Sequence, residues 1–508
     1  MRNRFSLTTR SLAIASLLLG LGAGAGAQGV LKIGINEDPD TLDPTVNRLA
    51  SGRQPLIAMC DKLFDVDTRL TLVPVLATGY EVAKDGMSLT LKLRPGVRFH
   101  DGEALDAEAV RFNFDRHMNT PGTFRKTELE AVAKVEVVDP LTVKISLKAP
   151  QANLLLVNLS ERSGMMVSPK ASKALGERFG SQPVCAGEYR FVERVPQGRI
   201  VVERFADYWD KDKAKGGPAR VEYLPISDST VRLSALRSGE IQIAERLTPT
   251  DLPQLAGDKR VRVVSTPDLG YHNITFNNNN GPRSRMFQDK RVRQALNLAV
   301  DRKALVKALF NDQYLAGNQY VNPNNQYYDK TRPVTARDVG AARKLLQEAG
   351  VPNFTFTLIV PAERERQEAA QMVQAMLAEA GVTMNIETQE NAVMYQNTRK
   401  GQFDAYFGFW SGRPHPDGNM YAQLSCNGPQ NDGKFCNPEL DAVLNKGREA
   451  TTDEERRSIY QQANRMAVDS YPSMLLWHRQ TFTGLSTRVS GFEPNPDSII
   501  RLKGVRLQ

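Results

Sequence analysis

Catalytic signatures are what this chain lacks. Its 508 residues include five histidines, four cysteines and three tryptophans. The histidines, His100, His117, His272, His415 and His478, are too widely spaced to suggest a metal-ligand set or a nucleophile with its base. There is no G-x-S-x-G, H-E-x-x-H, phosphate-binding loop or C-x-x-C. The expectation is a protein that is not an enzyme and that carries no cofactor and no metal. No basic run resembles a nucleic-acid site, and no apolar stretch beyond the amino terminus could cross a membrane. A hydrophobic content of 41% and a charged content of 24% are ordinary for a chain that buries a core.

What is present begins with an export signal. Arg2, Arg4 and Arg10 precede the apolar run Leu12 to Leu19, and Ala25-Gly26-Ala27 matches an A-x-A cleavage site, so cleavage is expected before Gln28. No cysteine lies near this boundary to accept a lipid, and a periplasmic location follows. The formal charge of +9 falls to about +6 without the three signal arginines, a modest excess that suits either a solubilising surface or an anionic ligand. Roughly 480 remaining residues exceed what one core serves, which predicts two large lobes.

Four cysteines in an exported chain suggest two disulfides, with three possible connectivities. Cys426 and Cys436 flank a short polar loop and should pair, leaving Cys60 with Cys185 by elimination. A zinc site is the rival, but it lacks histidines at short spacing.

Along the chain, Val30–Ile35 alternates as a strand and leaves into the turn-rich Asp38 to Pro44, a segment holding Thr41 and Asp43. Leu89, Leu91 and Leu93 alternate, Pro95-Gly96 turns, and Val97 and Phe99 begin a return strand, which predicts a β-hairpin. Asp106 caps a helix reaching His117, and a β-rich stretch spans 135–147. Further on, Phe354 to Val360, a helix over 369–380 and Val382 to Ile386 read as a βαβ unit of a parallel sheet. A preceding helix is predicted to start at the capping box Thr335 to Asp338 and to end at Gly350.

Polar loops at strand ends are where such sheets bind ligands. The segment Trp410 to Tyr421 combines an aromatic face with Arg413, His415, Asp417 and amides, and two prolines stiffen it. It is either a binding loop or an ordinary surface loop. Tyr271 to Asn277, with His272 and Asn277, is either a strand with polar residues facing a ligand or a strand that simply ends in asparagines. Arg364, ahead of the helix over 369–380, completes the candidate set of Thr41, Asp43, His272, Asn277, Arg364, Trp410, Arg413 and Asp417.

Several stretches, in order, resemble the bacterial family 5 extracellular solute-binding proteins, which include dipeptide-, oligopeptide-, glutathione- and nickel-binding members. They are Thr41 to Pro44, Leu89 to Glu103, Pro183 to Phe191, Asp289 to Arg302 and Glu348-Ala349-Gly350. The resemblance implies an α/β, two-lobed clamshell of mixed sheets flanked by helices. Lobe I would span 28–270 with an inserted subdomain at about 75–186, lobe II would span 271–478, and 479–508 would return to lobe I. It implies a monomer that encloses a peptide or peptide-like ligand, possibly anionic, for an ABC importer whose permease and ATPase are separate chains. Cys185-Ala186-Gly187-Glu188 stands where many relatives have a glycine-threonine-glycine-proline turn, and the cysteine there strengthens the link to Cys60. Arg413 stands where peptide-binding relatives resemble one another in an aspartate that meets the ligand's amino terminus. A cation cannot do that, so either Asp417 takes the role or Arg413 meets an anionic group of the ligand. The alternatives are the same device for an opine, modified amino acid, sugar or metal chelate; a secreted hydrolase; and a chemoreceptor partner that senses without transport.

Overall fold

The computed structural model describes residues 29–279, 281, 285–450 and 452–508. The signal segment and the cleavage before Gln28 lie outside the described residues.

Val30–Ile35 is a strand whose alternate residues Leu31, Ile33 and Ile35 are fully buried. It lies at the centre of a seven-stranded sheet, parallel to Arg220–Pro225 on one side and to Ile243–Leu247 on the other. Antiparallel strands extend both edges, among them Gln480–Ser486 from near the end of the chain. A second, six-stranded sheet draws all its strands from between Tyr271 and His478. It contains the βαβ unit read from the sequence: Phe354–Pro361 and Val382–Gln389 run parallel, joined by the helix Arg364–Ala378. The remaining large sheet has four strands, between Ala77 and Leu147, with its own core of Leu89, Leu91, Phe99, Phe114 and Ile145. Its helix Ala107–Asn119 is capped by Asp106, whose carboxylate accepts from Ala109 N at 2.9 Å.

Three local readings need correction. Ser88–Leu93 is a strand, but it pairs with Ala77–Val82 and Thr142–Leu147 rather than with a return strand at Val97. Both of its edges are taken, so Val97 and Phe99 instead drop their side chains into the same core while Arg98 bridges Ala104. The helix before Gly350 begins at Val339, with Asp338 as its cap accepting from Ala341 N at 2.8 Å; the residue read as the last of the capping box is the cap itself. The segment after Trp410 is a loop only as far as Pro416, because Asp417–Leu424 is helical.

The chain crosses between the seven- and six-stranded sheets twice, at Asp268–Gly270 and at Arg479. The crossings are tied together: Arg479 Nη2 donates to Asp268 Oδ2 at 2.8 Å, and Asp268 N donates to the Arg479 carbonyl at 3.1 Å. The disulfides are Cys60–Cys185 and Cys426–Cys436. Among the described residues no helix is long and apolar enough to cross a membrane.

Candidate ligand-binding cleft

The wall of the cleft begins with Ala405–Trp410, which runs antiparallel to Tyr271–Phe276 so that Trp410 lies opposite Tyr271. The loop that follows is pinned by Asn419. Its Oδ1 accepts from Trp410 Nε1 at 3.0 Å and from Arg413 N at 2.7 Å, and its Nδ2 donates to the Arg413 carbonyl at 3.0 Å. Gly412 is required here: φ is +72°, and a Cβ would stand 2.3 Å from the Leu269 carbonyl carbon. The loop is thereby pressed against the first interlobe crossing.

Between the two large sheets lies a cavity of about 780 Å³, counting space open to solvent. One side is supplied by Asn36 and Glu37, which follow the central strand, and by Arg48 and Arg246. The other is supplied by His272, Glu363, Arg366, Asn391, Phe409, Trp410 and Arg413, with Arg479 at the second crossing. Five arginines thus line one space, and each has a carboxylate beside it. Arg48 Nη2 is 2.5 Å from Asp432, Arg246 Nε is 3.3 Å from Glu245, and Arg413 Nε is 3.6 Å from Glu161. Arg366 makes a two-pronged pair with Glu363 at 2.6 and 3.0 Å, while Arg479 holds Asp268.

The pairing is incomplete. Arg48 Nη1, Arg246 Nε, Arg479 Nε, both ring nitrogens of His272 and Asn391 Oδ1 are buried without a hydrogen-bond partner in the protein. Burial, then Arg479, drives the His272 pKa far down, so its ring is neutral; it stacks on Trp477 at 4.8 Å. Unpartnered buried donors are costly, and a ligand with acceptor oxygens would satisfy the guanidinium groups. Glu37 accepts from Asn391 across the cleft. Burial, then the neighbouring Glu363, raises its pKa to about 7.

The expected site residues separate into two groups. His272, Trp410 and Arg413 line the cavity; Asp417 lines a second compartment beyond Trp410. Asp417 accepts from the Tyr460 hydroxyl at 3.1 Å and lies 3.4 Å from Arg448. The others lie elsewhere. Asp43 makes a two-pronged pair with Arg116 and accepts from Thr45 N, and Thr41 accepts from Asp43 N. Asn277 donates to the Phe403 and Gly401 carbonyls at the far end of its strand. Arg364 is exposed and reaches Thr230, Thr250 and Asp251, which flank the strand Ile243–Leu247 of the seven-stranded sheet. Sequence reasoning missed Glu37, Arg48, Arg246, Glu363, Arg366 and Arg479. Arg366 sits two residues from Arg364 on the buried face of the same helix, which the spacing of that helix's apolar residues could have indicated.

Among the described residues no group of three or more histidine, cysteine or carboxylate side chains is placed to hold a metal ion. The profile of the bacterial extracellular solute-binding proteins, family 5 middle, matches residues 71–431. The chain is 30% identical over 461 residues to the glutathione-binding protein GsiB of Pectobacterium atrosepticum, covering 88% of each. Among solved structures, it resembles a dipeptide-binding protein of Pseudoalteromonas sp. SM9913 in complex with Met-Leu, with a TM-score of 0.86, 23% identity and coverage of 94% of this chain and 100% of that one. It also resembles AgaA of A. tumefaciens R10 in complex with agropinic acid, with a TM-score of 0.85, 24% identity and coverage of 94% and 99%.

Proposed function

Because this chain belongs to the family 5 bacterial extracellular solute-binding proteins, we propose that it captures a short peptide-like ligand carrying at least two carboxylates and delivers it to an ABC importer. The lobes are assigned as 28–270 with 479–508, and 271–478, with the subdomain at about 75–186 inserted in the first. Export to the periplasm through the signal segment, and action there as a monomeric binder, belong to the same proposal.

The observation that carries this reading is the interlobe cavity lined by five arginines, three of which keep buried N–H groups without hydrogen-bond acceptors. A carboxylate is the natural partner for a guanidinium, and enclosure in low dielectric strengthens the bond. The neutral His272 ring and the Asn391 oxygen accommodate amide donors and acceptors of a peptide backbone. Glutathione, the ligand in the name of the GsiB relative, has this combination of two carboxylates and amides.

Calorimetry with reduced glutathione and with acidic tripeptides tests the reading. One site per chain with micromolar or tighter affinity is expected, and no heat with any of them would overturn it. A second reading is an opine-like anion, as in the agropinic acid complex of AgaA. The Arg413–Glu161 contact favours it, since Glu161 is engaged by both Arg413 and Arg53 and is not left free to meet an α-ammonium.

A further inference from the structure

Trp410 and Arg413 also line a second compartment of about 590 Å³, counting space open to solvent, between the inserted four-stranded part and the helix Asp417–Leu424. We propose that this compartment receives a bulky apolar side chain of the ligand, so that the protein selects anionic peptides carrying one leucine-like or aromatic residue. The inference rests on the reading that the cleft captures a peptide-like anion, and it adds which residue of that anion is discriminated.

The two compartments are adjacent, with Trp410, Arg413 and Gln430 in both walls. Their chemistry differs. In the first, guanidinium, imidazole and amide atoms are buried without partners. In the second, nearly every polar group of the wall is already engaged. Glu161 accepts from Arg53 at 3.0 Å and lies 3.6 Å from Arg413; Asp417 has Tyr460 and Arg448; His415 Nδ1 accepts from Asp417 N at 3.2 Å. Burial, followed by Arg456 and Arg448, lowers the His415 pKa to about 3, so its ring is neutral. What remains for an occupant is the apolar surface of Phe124, Val157, Pro414, Tyr421, Ala422 and Pro429. One oxygen, Glu128 Oε2, is buried without a partner, and an amide N–H flanking the apolar side chain would satisfy it. An apolar wall with one unpartnered acceptor has the make-up of a specificity pocket.

The test is calorimetry on the mature chain with synthetic tripeptides of glutamate and glycine in which each position in turn is glycine, alanine, leucine or phenylalanine. At one position leucine or phenylalanine should bind about 10- to 100-fold tighter than glycine, the fold-change expected from burying such a side chain. In Ala422→Phe, which fills the compartment, that ratio should fall below about threefold. If that variant does not fold, Val157→Ala, which widens the compartment, should raise the preference for phenylalanine over leucine. Binding with no apolar preference at any position, or an unchanged ratio in a folded variant, overturns the inference while leaving the anionic-peptide reading standing. No binding of any acidic tripeptide overturns both.

Discussion

Arg413 Nε stands 3.6 Å from Glu161 Oε2, joining the six-stranded lobe to the inserted part of the other. Both side chains are buried, and Glu161 also accepts from Arg53 at 3.0 Å. Burial opposes its charge, yet Arg53, Arg413 and the cations behind them hold its pKa down at about 2. The same burial lowers the Arg413 pKa to about 10, Glu161 opposing the change. We propose that the pair forms as the lobes close and is lost when they part.

Arg413→Ala is expected to weaken ligand binding by roughly thirtyfold to several thousandfold, the range for truncating one partner of a buried charge pair. Glu161→Gln should weaken it too, and the two effects should be non-additive in a double-mutant cycle if the closing contact is what both disrupt. Additive effects, or a change under about threefold in each, would show that the pair does not support closure.

Arg364 and Arg366 offer a contrast within one helix. Arg366 lies in the cavity wall, paired with Glu363 and donating to the Phe407 carbonyl at 3.3 Å. Arg364 is exposed, and its nearest carboxylate, Asp251, is 3.9 Å away. Arg366→Ala should reduce affinity by at least about thirtyfold, whereas Arg364→Ala should change it by less than about threefold, as exposed pairs do. Equal losses in calorimetry would mean that the cavity wall is drawn wrongly.

That contrast shows where the sequence was readable. Period-two and helical spacings identified Val30–Ile35 and the βαβ unit because each element's burial follows its own local pattern. They could not reveal that both edges of Ser88–Leu93 were occupied, since its partner Thr142–Leu147 lies some fifty residues away. The contiguous Trp410 to Arg413 loop was legible as a site feature for the same local reason. Glu37, Arg246 and Arg479 were not, because the cleft is assembled from segments more than two hundred residues apart. Each is an ordinary charged residue until the fold removes it from water.

Glu37 predicts a pH-dependent closure. It accepts from Asn391 of the opposite lobe, and burial, then Glu363, raises its pKa from an ordinary 4.5 to about 7, with Arg366 and Arg246 opposing. A carboxyl whose pKa is higher in the closed state binds a proton on closing. The penalty is absent below about pH 4.5, grows between there and pH 7, and levels off above. The closed fraction of ligand-free protein should fall about 10- to 100-fold in equilibrium constant from pH 5 to pH 8, read as a larger radius of gyration by small-angle scattering. Glu37→Gln should remove the slope. A wild type whose radius does not depend on pH, or a variant that keeps the slope, would contradict this account.

The disulfides Cys60–Cys185 and Cys426–Cys436 account for all four cysteines. Thiol titration of the native oxidised protein should find no reactive thiol. The double variant Cys60→Ala/Cys185→Ala should lose about 2–4 kcal/mol of unfolding free energy in denaturant titration. Unchanged stability would show that the bridge does not restrain the unfolded chain.

The central claim is that the arginine-lined cleft selects a small compound with at least two carboxylates. Mass spectrometry of what gently purified protein releases on denaturation tests it most directly. The account predicts one such compound per chain, peptide-like and chemically intact after prolonged incubation with the protein. A neutral sugar, a metal complex, or a compound hydrolysed during the incubation would contradict it.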